Sequence, residues 1–98
     1  MPTSTASVVT RKPVPYMRQL CKHFGHKVDA TFDEVSGSIL FEMGACDLDA
    51  SSPEALVLHA RAADSEGLER VEGVVASHLE RFGRGDALSV SWVPAATP

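Results

Sequence analysis

Cys21-Lys22-His23-Phe24-Gly25-His26 places a thiol and two imidazoles within six residues. These side-chain types ligate metals, activate nucleophiles and carry protons. In a helix, Cys21 and His23 would stand about 200° apart and point to opposite sides. Cys21 falls on an apolar stripe, where a thiol acts as a small hydrophobe. His26 follows Gly25, so its direction stays open. His23 and His26 converge on a metal only if the chain folds back there. Otherwise they are two histidines near a helix C-terminus, favoured by its dipole.

His78 interrupts a second apolar stripe, between Val75 and Leu79. A polar ring facing a core needs a partner. The partner is either a backbone carbonyl or the neighbouring helix, which makes the ring structural. In the alternative, the ring is a ligand pointing between helices toward Cys21 or His23. The set Cys21, His23, His26 and His78 would suit zinc or iron. No zinc-ribbon or metalloprotease spacing supports it. No cofactor is required by the sequence.

Asp47, Asp49 and His59 form a second constellation. Alternation directs all three away from the core, with Asp47 and His59 as cross-strand neighbours. A solvent-facing pair of this kind is worth under about 1 kcal/mol. Ser77 beside His78 is no dyad, because adjacent helix positions diverge. Gly83-Arg84-Gly85 is a helix terminator rather than a phosphate loop. No nucleophile elbow or dinucleotide fingerprint is present, so catalysis is the weakest reading.

The charge is uneven. Residues 1–28 carry Arg11, Lys12, Arg18, Lys22 and Lys27 and no acid. The remainder carries four arginines against thirteen acids, leaving a net −4. Arg18, Lys22 and Lys27 form a patch for an anionic ligand, or else a basic helix lies beside an acidic one. Duplex nucleic acid is not an expected partner of so acidic a chain. The aromatic residues fall mostly on inward positions and offer no stacking platform.

The elements that must position these residues follow from periodicity. Thr5–Thr10 is β-branched and reads as a strand. Pro13 and Pro15 end it, and Pro15 fits a first helical turn. Met17, Leu20, Cys21 and Phe24 make a helical stripe that Gly25 closes as a left-handed cap. Val28, Ala30 and Phe32 then alternate inward as a strand, followed by a turn at Ser36-Gly37. Ser38–Met43 follows, with Ile39, Phe41 and Met43 inward. After a turn at Gly44-Ala45 come a strand with Cys46 and Leu48 inward, a loop at Ser51–Glu54, and the strand Ala55–Ala63. Asp64 or Ser65 caps a second helix, whose stripe is Leu68, Val71, Val75, His78, Leu79 and Phe82. Leu88, Val90 and Trp92 form a last strand, and residues 94–98 form a tail.

The order is β-α-β-β-β-β-α-β. Alternating strands and one-sided helices require an α+β two-layer sandwich, with a mostly antiparallel sheet and both helices on one face. The chain is one domain, 1–98, with an ordered core from about 5 to 93. At 44% hydrophobic and 22% charged it is an ordinary globule. It has no apolar run of about 18–20 residues to cross a membrane. It also shows no secretory leader, and two cysteines make no disulfide framework, so the expected compartment is the cytoplasm.

Tyr16–Lys27 (YMRQLCKHFGHK), Val71–Phe82 (VEGVVASHLERF) and the Cys46-x-Leu48 strand resemble the bacterial domain of unknown function 2218 family. The resemblance runs from about Ala6 to Trp92. The strand-helix-four-strand-helix order is similar to the TATA-binding-protein-like fold by topology alone. Domains of this family occur singly or attached to siderophore-interacting flavoproteins that reduce ferric siderophores. The resemblance therefore implies an accessory module for a metal ion or iron chelate, with such a flavoprotein as partner. It assigns no catalytic residue. The alternative is a protein-interaction or homo-oligomerising domain with structural histidines.

Overall fold

The computed structural model describes residues 2–94. Its elements are β1 (Thr3–Val9), α1 (Pro13–Phe24), β2 (Asp29–Phe32), β3 (Ser36–Leu40), β4 (Gly44–Asp49), β5 (Ala55–Ala62), α2 (Ser65–Phe82), a 3-10 turn at Arg84–Asp86, and β6 (Val93–Pro94). The element order is the expected one. Every strand pairing is antiparallel, in a six-stranded sheet ordered β2-β3-β4-β5-β1-β6. The first strand is thus inserted between β5 and β6. Each helix lies in a crossover: α1 links β1 to the far edge at β2, and α2 packs on β5 and β4 before the chain returns to β6 beyond β1.

Register explains the single core. Ile39, Cys46, Ala60 and Ser4 fall in one inward row, and Leu48, Leu58 and Ala6 in the next. Met17 and Leu20 of α1 and Val71, Val75 and Leu79 of α2 pack on these rows, so both helices cover one face. The other face carries Thr31, Ser38, Asp47, His59 and Thr5 across five strands. One buried polar contact crosses the layers, where the Ser4 hydroxyl donates to Glu72 at 2.5 Å.

The two helices are held differently. In α2 the Asp64 carboxylate accepts from the Gly67 N–H at 2.7 Å, and Glu66 and Arg70 pair one turn apart. No side chain caps α1, which starts at Pro13. A missing cap costs about 1 kcal/mol. Burial of Met17 and Leu20, at about 1.5–3 kcal/mol each, outweighs it.

Several boundaries differ from the sequence expectation. Gly25 is right-handed (φ −62°, ψ −13°) and donates to Cys21 O at 2.8 Å, so the helical path continues into a turn. A Cβ there would stand 3.0 Å from that same carbonyl, a tight approach. The β2–β3 turn is Asp33–Ser36, held by the Asp33 carboxylate accepting from Val35 and Ser36, so Gly37 lies within β3. The next turn closes between Phe41 and Gly44, which leaves Ala45 in β4 and puts Phe41 and Met43 in the turn, half-buried. Phe32 is on the inward parity, yet it is 38% exposed because the hairpin extends past the helices. Leu88, Val90 and Trp92 are half-buried without forming a strand. The Val90 N–H donates to the Glu80 carboxylate at 3.0 Å instead of to a neighbouring strand. Pro94, expected in the tail, belongs to β6, and 95–98 lie outside the described residues.

Candidate functional site

The last turn of α1 and the last two turns of α2 meet at one rim of the helix layer. There the rings of His23 and His78 lie 4.9 Å apart, tilted by 44°. Phe24 stands 4.9 Å from His78 and packs edge-on against Phe41 at 5.1 Å. Phe82 closes the other side, edge-on to His23 at 5.5 Å. Helical spacing creates the cluster: His78 and Phe82 are one turn apart, and His23 and Phe24 end α1 opposite them.

The Nδ1 of His78 lies 2.7 Å from the Val74 carbonyl oxygen. A carbonyl cannot donate, so Nδ1 carries the proton and the neutral ring has its lone pair at Nε2. The contact fixes the tautomer and orientation of the ring, as a carbonyl on the far nitrogen does for imidazoles that bind metals. It also bars a serine dyad. The Ser77 hydroxyl does come within 3.5 Å of Nδ1, but that nitrogen is already protonated. His23 is exposed. Its neighbours' partial cover lowers its pKa below 6.5, and nearby cationic groups such as Lys27 and Arg81 act in the same direction.

Of the four residues read as a ligand set, the structure brings together His23 and His78. Cys21 is buried on the sheet side of α1, its thiol toward the Thr31 carbonyl, with its pKa pushed up to about 11 by burial. Cys46 is also a free buried thiol, pushed up to about 12 by burial and then by Asp47. His26 lies exposed in the turn after α1. Among the described residues, no three His, Cys, Asp or Glu side chains converge as a metal cage. A metal at the rim would have two imidazole ligands and complete its shell from water or from a chelate.

Arg18 and Lys22 lie exposed on α1, and Lys27 in the turn beyond. None of the three pairs with an acid among the described residues, so the basic helix is not neutralised by an acidic neighbour. The second constellation lies on the open sheet face, and Asp47 is indeed opposite His59. The two do not bond. Asp47 takes the Arg61 guanidinium and the Ser38 hydroxyl (2.9 Å), while His59 Nδ1 lies 3.3 Å from the Thr5 hydroxyl. Asp49 is held below the usual carboxylate range by Ser51, with His59 adding to it. Arg61 was legible as a member, because it shares the outward parity of His59 and lies diagonal to Asp47.

Two surface concavities lie away from the histidine pair, the first reaching Ser38 beside Asp47. One of about 350 Å³ lies at the β2–β3 hairpin, lined by Thr31, Phe32 and Gly37. Another of about 330 Å³ lies between Pro13 at the foot of α1 and Ser52. Neither is lined by a histidine. His23 is exposed and His78 half-buried, so the pair is reached from the surface.

Fold and site together define a two-layer α+β domain with an imidazole pair at its helix rim. The chain belongs to the family described as an uncharacterized protein conserved in bacteria (DUF2218), whose sequence model matches residues 5–93. It is similar to the NMR structure of PA4090 from Pseudomonas aeruginosa. Identity is 33%, the match covers 99% of this chain and 100% of that one, and the TM-score is 0.82. No curated protein matches the chain. No helix among the described residues is long and apolar enough to cross a membrane.

Proposed function

We propose that the protein is a cytoplasmic, non-catalytic binding module whose His23–His78 pair takes a transition-metal ion, presented free or as an iron chelate. The observation that carries this reading is the 4.9 Å imidazole pair with His78 Nδ1 committed to Val74. Imidazole nitrogen suits zinc and iron, and a two-ligand site leaves positions for a chelator. Lys27 and Arg81 beside the pair favour an anionic chelate. The iron-siderophore setting, and a siderophore-interacting flavoprotein as partner, rest on the family resemblance.

The test is NMR of the histidine rings during titration with zinc, ferrous iron and a ferric chelate. His23 and His78 resonances should shift together with one equivalent, and His23→Ala or His78→Ala should abolish the shift. Rings unmoved by all three additions would refute the reading. A second reading rests on Phe32, Val35 and Leu40, which are 38–48% exposed at the β2–β3 edge. An apolar sheet edge favours association with another copy or another protein. Native mass measured in the same titration separates the two, since self-association without metal uptake supports the second alone.

A further inference from the structure

Helix α1 carries a cationic face that the helix dipole explains only at Lys22, in the last turn. Arg18 and Lys22 are one turn apart and exposed, and like charges at this spacing repel. Arg11 precedes the helix N-terminus, the end whose dipole disfavours cations, and the first turn contains no acid. Only Lys12 of this segment is paired among the described residues, to Asp86 at 3.7 Å. Arg11, Arg18 and Lys22 make no ion pair or side-chain hydrogen bond there, although the chain carries thirteen acids elsewhere. The crossover topology separates them. α1 spans the sheet with its apolar side down, and its outer side faces solvent.

We infer that the outer face of α1 is a docking surface for an acidic protein segment, one that sets Asp or Glu carboxylates against Arg11, Arg18 and Lys22. Charge complementarity selects this occupant. A long phosphate polyanion would meet the net −4 of the whole chain, whereas a short carboxylate segment meets only the helix. The twelve-residue helix is about 18 Å long, with Arg11 just ahead of it, which matches a short peptide or about three helical turns of a partner. Its exposed residues (Pro15, Arg18, Gln19, Lys22 and His23) include no Phe, Tyr or Trp to stack on bases and no large aliphatic residue to enter a bilayer. Arginine supplies the bidentate geometry that carboxylates favour. This surface adjoins the proposed metal pair at His23, but the cations that define it, Arg11, Arg18 and Lys22, are not metal ligands.

The experiment is fluorescence anisotropy of a labelled Glu-rich peptide with the full chain, repeated with duplex DNA and with phosphatidylserine vesicles. The peptide should bind, and raising salt from about 20 to about 200 mM should weaken it at least about tenfold. The double variant Arg18→Gln/Lys22→Gln should lose the binding while its Tm stays level or rises. Arg70→Gln, which removes a cation already paired with Glu66, should leave binding unchanged. Four results would each overturn the inference. They are no peptide binding at low salt, equal binding by the double variant, tighter binding of DNA or vesicles than of peptide, and a lower Tm in the double variant, which would make the cations structural.

Discussion

The carbonyl of Val74 fixes the tautomer of His78, and with it what the ring can do. A neutral Nε2 beside a second imidazole is a ligand geometry, and a protonated Nδ1 facing Ser77 is not a base. Tyr16 and Asp86 are a second case where one contact sets chemistry. The Tyr16 hydroxyl donates to Asp86, and Lys12 adds its charge, so Asp86 titrates below the ordinary 3.8. The same hydrogen bond raises the pKa of Tyr16. The sign for stability follows. The native state binds the Asp86 proton less readily than the unfolded chain, so this contribution is complete above pH 3.8 and is lost as pH falls through the folded value. Thermal melts between about pH 6 and pH 2 should therefore show a shallower acid decline in Tyr16→Phe than in the wild type, because the contact being titrated is gone.

At the scale of elements, glycine positions report how closely strands and helices approach. Gly44 opens β4 beneath α2, where a Cβ would collide with the Arg61 carbonyl and stand 3.0 Å from Val71. Backbone on one side and helix on the other leave it no room. Gly44→Ala should destabilise by about 1–3 kcal/mol. Gly73 lies mid-helix in α2 with nothing within 4 Å of its would-be Cβ. Gly73→Ala should stabilise by about 0.5–1 kcal/mol, since alanine loses less backbone entropy in a helix. Urea unfolding of the two variants checks both signs at once. A Gly44→Ala variant as stable as the wild type would mean the β4–α2 contact is looser than described.

For the whole molecule the decisive feature is β1. It pairs with β5 across seven residues, from Thr3↔Arg61 to Val9↔Ala55, and it contributes the buried Ala6 and Val8. It also separates β5 from β6, so both helix crossovers depend on it. A domain of this size is stable by about 5–15 kcal/mol, and losing one strand of the sheet interior exceeds that margin. A chain lacking residues 2–9 should show no cooperative melting transition by circular dichroism. Because the β1–β5 pairs close a long loop, folding should also be slower than in a helical bundle.

Sequence alone determined the element order, the inward parity of most strands and a cap at Asp64 or Ser65, because each depends on neighbours two to four residues away. Ser4, Ala6 and Val8 against Thr5 and Ser7 already encode which face of β1 is buried. It also showed that α1 has cations and no acids. It could not show where those charges end up, because pairing depends on which helix face the sheet covers. The insertion of β1 between β5 and β6 and the pairing of Tyr16 with Asp86 seventy residues on were decided by tertiary contacts. So was the site itself. Local spacing grouped Cys21 with His23 and His26, but packing turned the thiol into the core. Only the meeting of two helix ends fifty-five residues apart set His23 against His78.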